Sequence, residues 1–184
     1  MSNQPMTDAL TAYSVDPAHS EVGFTVRHMG FSKVHGSFGE FNAVVEMAGE
    51  DLSTLKTNAT IVAASVTTQD QKRDEHLRSA DFFDVESHPE LTFESTGVSD
   101  ISGNSFKLHG KLTIRGISKD VVLDAEFLGE GVDPWGGTRV GFEAGTTINR
   151  KEFGLNWNAA LEAGGVLVSD KVQLNLQIQA VRQA

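Results

Sequence analysis

The chain has 184 residues, enough for one domain around one sizeable core, and its lack of cysteine excludes disulfides, thiolate nucleophiles and cysteine-ligated metals. A formal charge of −10, with no run of four basic residues to offset it, repels phosphate backbones, so no nucleic-acid partner is expected. No stretch approaches the ~20 uninterrupted apolar residues of a membrane-spanning helix, and 39% hydrophobic with 22% charged residues is an ordinary globular balance.

Residues 1–12 open with MSNQPMTDALT, which has neither a basic n-region nor an apolar h-region. They are read as a flexible arm without a secretory signal, ahead of a single domain over 13–184, and the expected location is cytoplasmic. From there the dominant period is two. Val22, Phe24 and Val26 alternate with Gly23, Thr25 and Arg27. Val34, Gly36 and Phe38 hold one parity, then Phe41, Ala43, Val45 and Met47 hold the other, so a bulge is expected near Gly39 and Glu40. Ala59, Ile61 and Ala63 continue the pattern. Asp70–Ala80 breaks it: DQKRDEHLRSA is charged, rich in helix formers and capped by Thr68 or Asp70, so a short helix is predicted there.

Alternation resumes at Leu91, Phe93 and Ser95, and runs through Phe106, Leu108, Leu112 and Ile114, with Gly110 on the apolar side. The next runs are Val121–Phe127, Val140–Ile148 and Val172–Ala180. Ser102-Gly103-Asn104 and Arg115–Ser118 read as tight hairpins, and Asp133–Gly137 as a longer loop. A second short helix is predicted over Asn156–Ala163, stopped by Gly164-Gly165. The sum is an all-β domain of about eight long antiparallel strands with one or two short helices. Closing the sheet into a barrel removes its edges, with a sandwich as competitor.

An eight-stranded barrel is just wide enough to be filled by its own side chains or to hold one small ligand. Phenylalanine supplies 11 of the 14 aromatics, which brings apolar bulk without a polar handle. The inward rows also carry Ala63, Ser95, Gly110, Ala125, Ala144 and Ala180. These small residues interdigitate with the rings or leave room for a long apolar chain.

Polar constellations carry little chemistry. The six histidines form neither HxH nor HExxH, there is no GxSxG elbow, and no Gly-rich phosphate cradle sits between a strand and a helix, so no metal or cofactor is expected. The dense Arg73–Asp84 charges read as a compensated helix and its following turn, with an acid–base cluster as the alternative.

Three stretches, SVDPAHSEVGFTVRHMGFSKVHGSF (14–38), TTQDQKRDEHLRSADFFDVESHPELTFES (67–95) and TINRKEFGLNW (147–157), resemble in order and spacing the YceI-like family of lipocalin-like polyisoprenoid-binding proteins. The resemblance covers Tyr13 to about Ala180. It implies an extended eight-stranded barrel, often dimeric and in many members exported, with a deep tunnel for a long isoprenoid or similar lipid, isoprenoid quinones included. The wall is then expected to include Phe24, Val26, Phe38, Phe93, Phe106, Leu108, Phe142 and Leu176, around an extended chain. Arg150 and Lys151, with Arg27 and His28, are the candidates for a polar head group; the competing role for Arg150 is an ion pair with a carboxylate of Asp70–Asp84. Non-catalytic carriage or sequestration of such a lipid is the leading expectation. An isomerase or hydrolase using the same cavity, and a filled barrel acting in stress response through protein contacts, are the alternatives.

Overall fold

The computed structural model describes residues 9–161 and 165–184. Its elements are β1 (Thr11–Val15), β2 (Glu21–His28), β3 (Ser32–Phe38), β4 (Phe41–Ala48), β5 (Asp51–Val62), β6 (Val66–Thr67), α1 (Gln71–Arg78), β7 (Glu90–Ser102), β8 (Ser105–Ile114), β9 (Ile117–Val132), β10 (Thr138–Asn149) and β11 (Val168–Arg182). Neighbours follow the order β1-β4-β5-β7-β8-β9-β10-β11, and β1 returns to β11 with Tyr13 opposite Arg182 and Val15 opposite Ala180. The result is a closed eight-stranded antiparallel barrel.

Eleven segments make eight strand paths because three paths are broken. β11 takes β1 with residues 180–182 and β2 with residues 168–177, so β2 prolongs β1 along the same neighbour. β3 and β6 prolong β4 and β5 in the same way. The parity slip expected as a bulge is a break: Gly39 and Glu40 leave the ladder, Gly39 N–H donating to Ser65 O at 3.1 Å and Glu40 O accepting from Val62 N–H at 2.9 Å. Phe38 and Phe41 therefore both face inward. Both predicted hairpins close with two-residue loops, and Arg115 and Gly116 share the positive φ (51° and 72°) that a type I′ turn demands.

Other boundaries move. β1 begins at Thr11, inside the segment read as an arm, of which residues 1–8 lie outside the described residues. The first half of β5 escapes the period-two reading because Asp51–Asn58 mixes polar residues into both faces. The first helix forms as predicted, with the Asp70 carboxylate accepting from Arg73 N–H at 3.1 Å as its N-cap. The second does not: Asn156–Leu161 is irregular, with one isolated bridge from Ala160 to Val166, and the rest of that prediction lies outside the described residues. The carbonyls of Leu155 and Trp157, which a helix would turn toward its own N–H groups, accept instead from Arg150.

The barrel's first end is pinned by a charged knot. Arg139 on β10 donates to Asp16 at 2.8 Å, to Asp133 at 2.9 Å and to Gln179 at 2.9 Å, tying the β1–β2 turn and the β9–β10 loop to β11. Arg139 first, then His19, holds the Asp16 carboxyl down to about 2, against an ordinary 3.8. A depressed carboxylate stabilises the fold above its unfolded pKa, and that contribution is lost as pH falls through the folded value. Asp16→Asn is expected to melt about 2–4 °C below the parent at pH 7, with the gap closing between pH ~4 and ~2 in thermal melts followed by circular dichroism.

Candidate functional site

The buried side chains form two clusters. One, at the first end, gathers Tyr13, Met47, Leu52, Phe127, Val140 and Phe142; the other, at the α1 end, gathers Phe38, Ile61, Phe82, Leu91, Ile114 and Phe153. Between and along them lies a cavity of about 170 Å³, lined from Val15 and Phe142 at one extreme to Leu91 and Ile114 at the other. On β8 alone the lining runs from Phe106 to Ile114, ~27 Å of strand and ~20 Å along the axis at a usual barrel tilt. Spread over that length, the cavity is a slot and not a chamber.

Its wall is apolar throughout. Thr57 is the one lining residue with a polar side chain, and its hydroxyl donates to Val44 O at 2.9 Å. No titratable side chain lines the slot, and among the described residues no buried side-chain nitrogen or oxygen lacks a partner. The lining can therefore exclude water and bury apolar surface, and it offers no acid, base or nucleophile.

Small residues and parked rings keep the slot open. Ala43, Ala59, Ala125 and Ala144 line it, whereas Ala63 and Ala180 are fully buried in the packed clusters and Ser95 Oγ accepts the Thr57 N–H at 2.9 Å. Gly36 lies under the Phe24 ring and Gly110 under that of Phe93, so that a Cβ at either glycine would collide with the ring above it. Each ring thus occupies the place of a missing side chain against the wall. Rings also meet at the extremes: Phe24 tilts against Phe38 at 5.8 Å, Phe106 meets Phe142 edge-on at 6.4 Å, and Phe127 tilts against Phe142 at 5.2 Å.

Of the residues expected in the wall, Phe24, Phe38, Phe93, Phe106, Leu108, Phe142 and Leu176 line the slot; Val26 does not, lying beyond it toward the tip of the β2–β3 hairpin. The expected head-group donors are not gathered at a mouth. Arg27 is exposed on the outer face and His28 is half-buried, pairing with Val168 in the ladder. Lys151 is exposed and 3.3 Å from Asp170.

Arg150 departs furthest from expectation. It is 3% exposed and donates to four carbonyls: Leu155 at 2.6 Å, Trp157 at 2.8 Å, Ser169 at 2.9 Å and Val168 at 3.3 Å. Burial lowers its pKa, and Asp170, 3.9 Å away, opposes that shift. It clamps Leu155 and Trp157 to the start of β11 at Val168 and Ser169, and no carboxylate of Asp70–Asp84 pairs with it among the described residues. The Arg73–Asp84 charges are spent similarly. Arg73 and Arg78 donate to the carbonyls of Thr68, Ala64 and Val66, and Asp74 is buried as acceptor of the Thr68 N–H and hydroxyl. Arg115, from the β8–β9 turn, reaches Ala80 O and Phe82 O at 2.8 Å each. Sequence reasoning missed this carbonyl-binding use of arginine because its partners are backbone atoms, which no residue pattern displays.

A closed antiparallel barrel around an apolar slot free of titratable groups is a lipocalin-like architecture. The chain belongs to the YceI-like domain family, whose model matches residues 13–180. Relatives include a UPF0312 protein of Staphylococcus aureus, 41% identical over 165 residues and covering 89% of this chain and 94% of its own. Among solved structures, the Campylobacter jejuni YCEI protein is 34% identical with a TM-score of 0.75, covering 92% of this chain and 96% of that one. A polyisoprenoid binding domain from Saccharophagus degradans shares the fold at 16% identity and a TM-score of 0.67, covering 94% of this chain and 99% of its own.

Proposed function

We propose that the protein binds a long, slender apolar lipid in the barrel slot, of the polyisoprenoid or isoprenoid-quinone class, and carries or sequesters it without chemistry. The observation that carries this reading is a slot ~20 Å long whose lining presents no charged side chain. Burial of hydrocarbon there is favourable at ~25 cal/mol per Å², less the ordering of the chain. The fold shared with a polyisoprenoid binding domain supports the same ligand class.

The cavity volume limits how the lipid is held. At about 170 Å³ it lies below the ~300–1,000 Å³ of pockets that enclose drug-sized ligands. A long prenyl chain therefore enters by widening the slot or by leaving part of itself outside. Extraction of the purified protein with organic solvent, followed by mass spectrometry, tests the reading. The expected result is a near-stoichiometric apolar lipid; its absence, together with failure to take up polyprenol or quinone, overturns the proposal.

A further inference from the structure

The β2–β3 hairpin carries a combination of features that the barrel does not need. Its turn is closed by Phe31 N–H donating to His28 O at 3.1 Å, with Met29 and Gly30 at φ 53° and 73°. A left-handed position of this kind favours glycine or asparagine, so methionine there is strained. It is nonetheless used to hold an apolar side chain outward: Met29 is 42% exposed and the neighbouring Phe31 84%. Met29 N–H bonds Leu167 O at 2.8 Å, which brings the tip beside Val166, itself 49% exposed. Three apolar side chains from two segments therefore crown one end of the molecule.

Charge on the hairpin itself is positive, against the grain of a chain of net charge −10. Arg27 and Lys33 are directly opposed across the β2–β3 ladder, both exposed, with His35 next along the same face. Like charges in directly opposed positions destabilise a hairpin, and among the described residues neither has a carboxylate within ion-pair distance. The arrangement is complemented by an extended anionic surface with an apolar interior just beneath it. At the opposite end of the barrel Trp135 and Val132 are also exposed, at 86% and 73%, but the cation beside them, Arg139, is already paired with Asp16 and Asp133.

We propose that the Met29–Phe31 tip, flanked by Arg27 and Lys33, docks the barrel onto an anionic lipid bilayer. Phe31 and Met29 enter the headgroup–acyl boundary and the two cations meet lipid phosphates. The tip lies five residues along β2 from Phe24 in the slot wall, ~16 Å of strand, so docking sets the barrel's α1 end toward the membrane. Its purpose, collecting or delivering an apolar cargo, rests on the carrier reading; its geometry does not.

Sedimentation with vesicles tests it, using phosphatidylcholine alone and phosphatidylcholine with about one-third phosphatidylglycerol. The parent is expected to bind the mixed vesicles only, and less at high salt. Lys33→Glu is the decisive variant, since it replaces a repulsive cross-strand pair by an attractive one. It is expected to melt no lower than the parent while binding mixed vesicles about tenfold more weakly. Phe31→Ser is expected to bind about tenfold more weakly, and Trp135→Ser like the parent. No binding by the parent, or parent-like binding by Lys33→Glu and Phe31→Ser, overturns docking. So does Phe31→Ser dissociating a dimer in gel filtration without altering vesicle binding, which would make the tip a contact between copies. Lipid content of the same variants, measured by solvent extraction, stays at the parent's level, so a failure of docking is distinguishable from a failure of the carrier reading.

Discussion

Arg150→Met is expected to destabilise the protein by about 3–5 kcal/mol in chemical denaturation, the largest effect of any single polar substitution in the barrel. Methionine is of similar length and apolar, so packing around Phe153 and Leu155 changes little. What is lost is the donor to four carbonyls, two in the irregular stretch at Leu155 and Trp157 and two at the start of β11, Val168 and Ser169. Lysine is not a substitute, because one ammonium cannot span acceptors that a planar guanidinium reaches from several nitrogens. Arg150→Lys is expected to recover less than half of the loss. A deficit below about 1 kcal/mol for Arg150→Met would show that water satisfies these carbonyls and that the clamp is dispensable.

Ala144→Phe is expected to abolish lipid retention while leaving the barrel folded. Ala144 on β10 stands opposite Ala125 on β9 and Leu176 on β11, and all three line the slot. A phenyl ring at this point enters a cavity of about 170 Å³ and takes up much of it. Overpacking a filled core costs about 1–3 kcal/mol; here the ring has a cavity to enter, so the cost falls at or below the lower figure. Co-purifying lipid, measured by extraction, is expected to drop at least tenfold. Val122→Phe, on the outer face of the same β9 strand, is the control and is expected to retain lipid. Parent-level lipid in Ala144→Phe would place the cargo elsewhere than in the slot.

The two substitutions probe parts of the molecule that differ in how visible they are in the chain. Ala144 announces itself: period-two alternation places it on the inner face with Phe142, and its small size marks the spot where a wall can recede. The same alternation places Phe106, Leu108 and Leu176 correctly, because a strand in a closed barrel has only two faces and one of them is wet. Arg150 announces nothing. In sequence it reads as a head-group donor or as an ion-pair partner of Asp70–Asp84, and only the placing of Leu155, Trp157, Val168 and Ser169 around it turns the guanidinium into a buried clamp. Asn156–Leu161 fails as a helix for the same reason, since local helix propensity loses to a tertiary donor that takes the carbonyls of Trp157 and of Leu155 just before it.

By itself, the order of residues determined that the fold is all-β, that its strands bury one face, which glycine-bearing turns join them, and that a capped charged helix interrupts them. These are local properties, governed by alternation, turn stereochemistry and capping over a few residues. Tertiary structure alone decided that three strand paths break, that the first strand closes the circle on the last, and that the Phe24 and Phe93 rings fold over glycines to leave a slot. Whether a barrel is filled or hollow depends on how side chains from strands distant in sequence share one volume. That is a sum over all the inward rows at once, and no segment of the chain contains it.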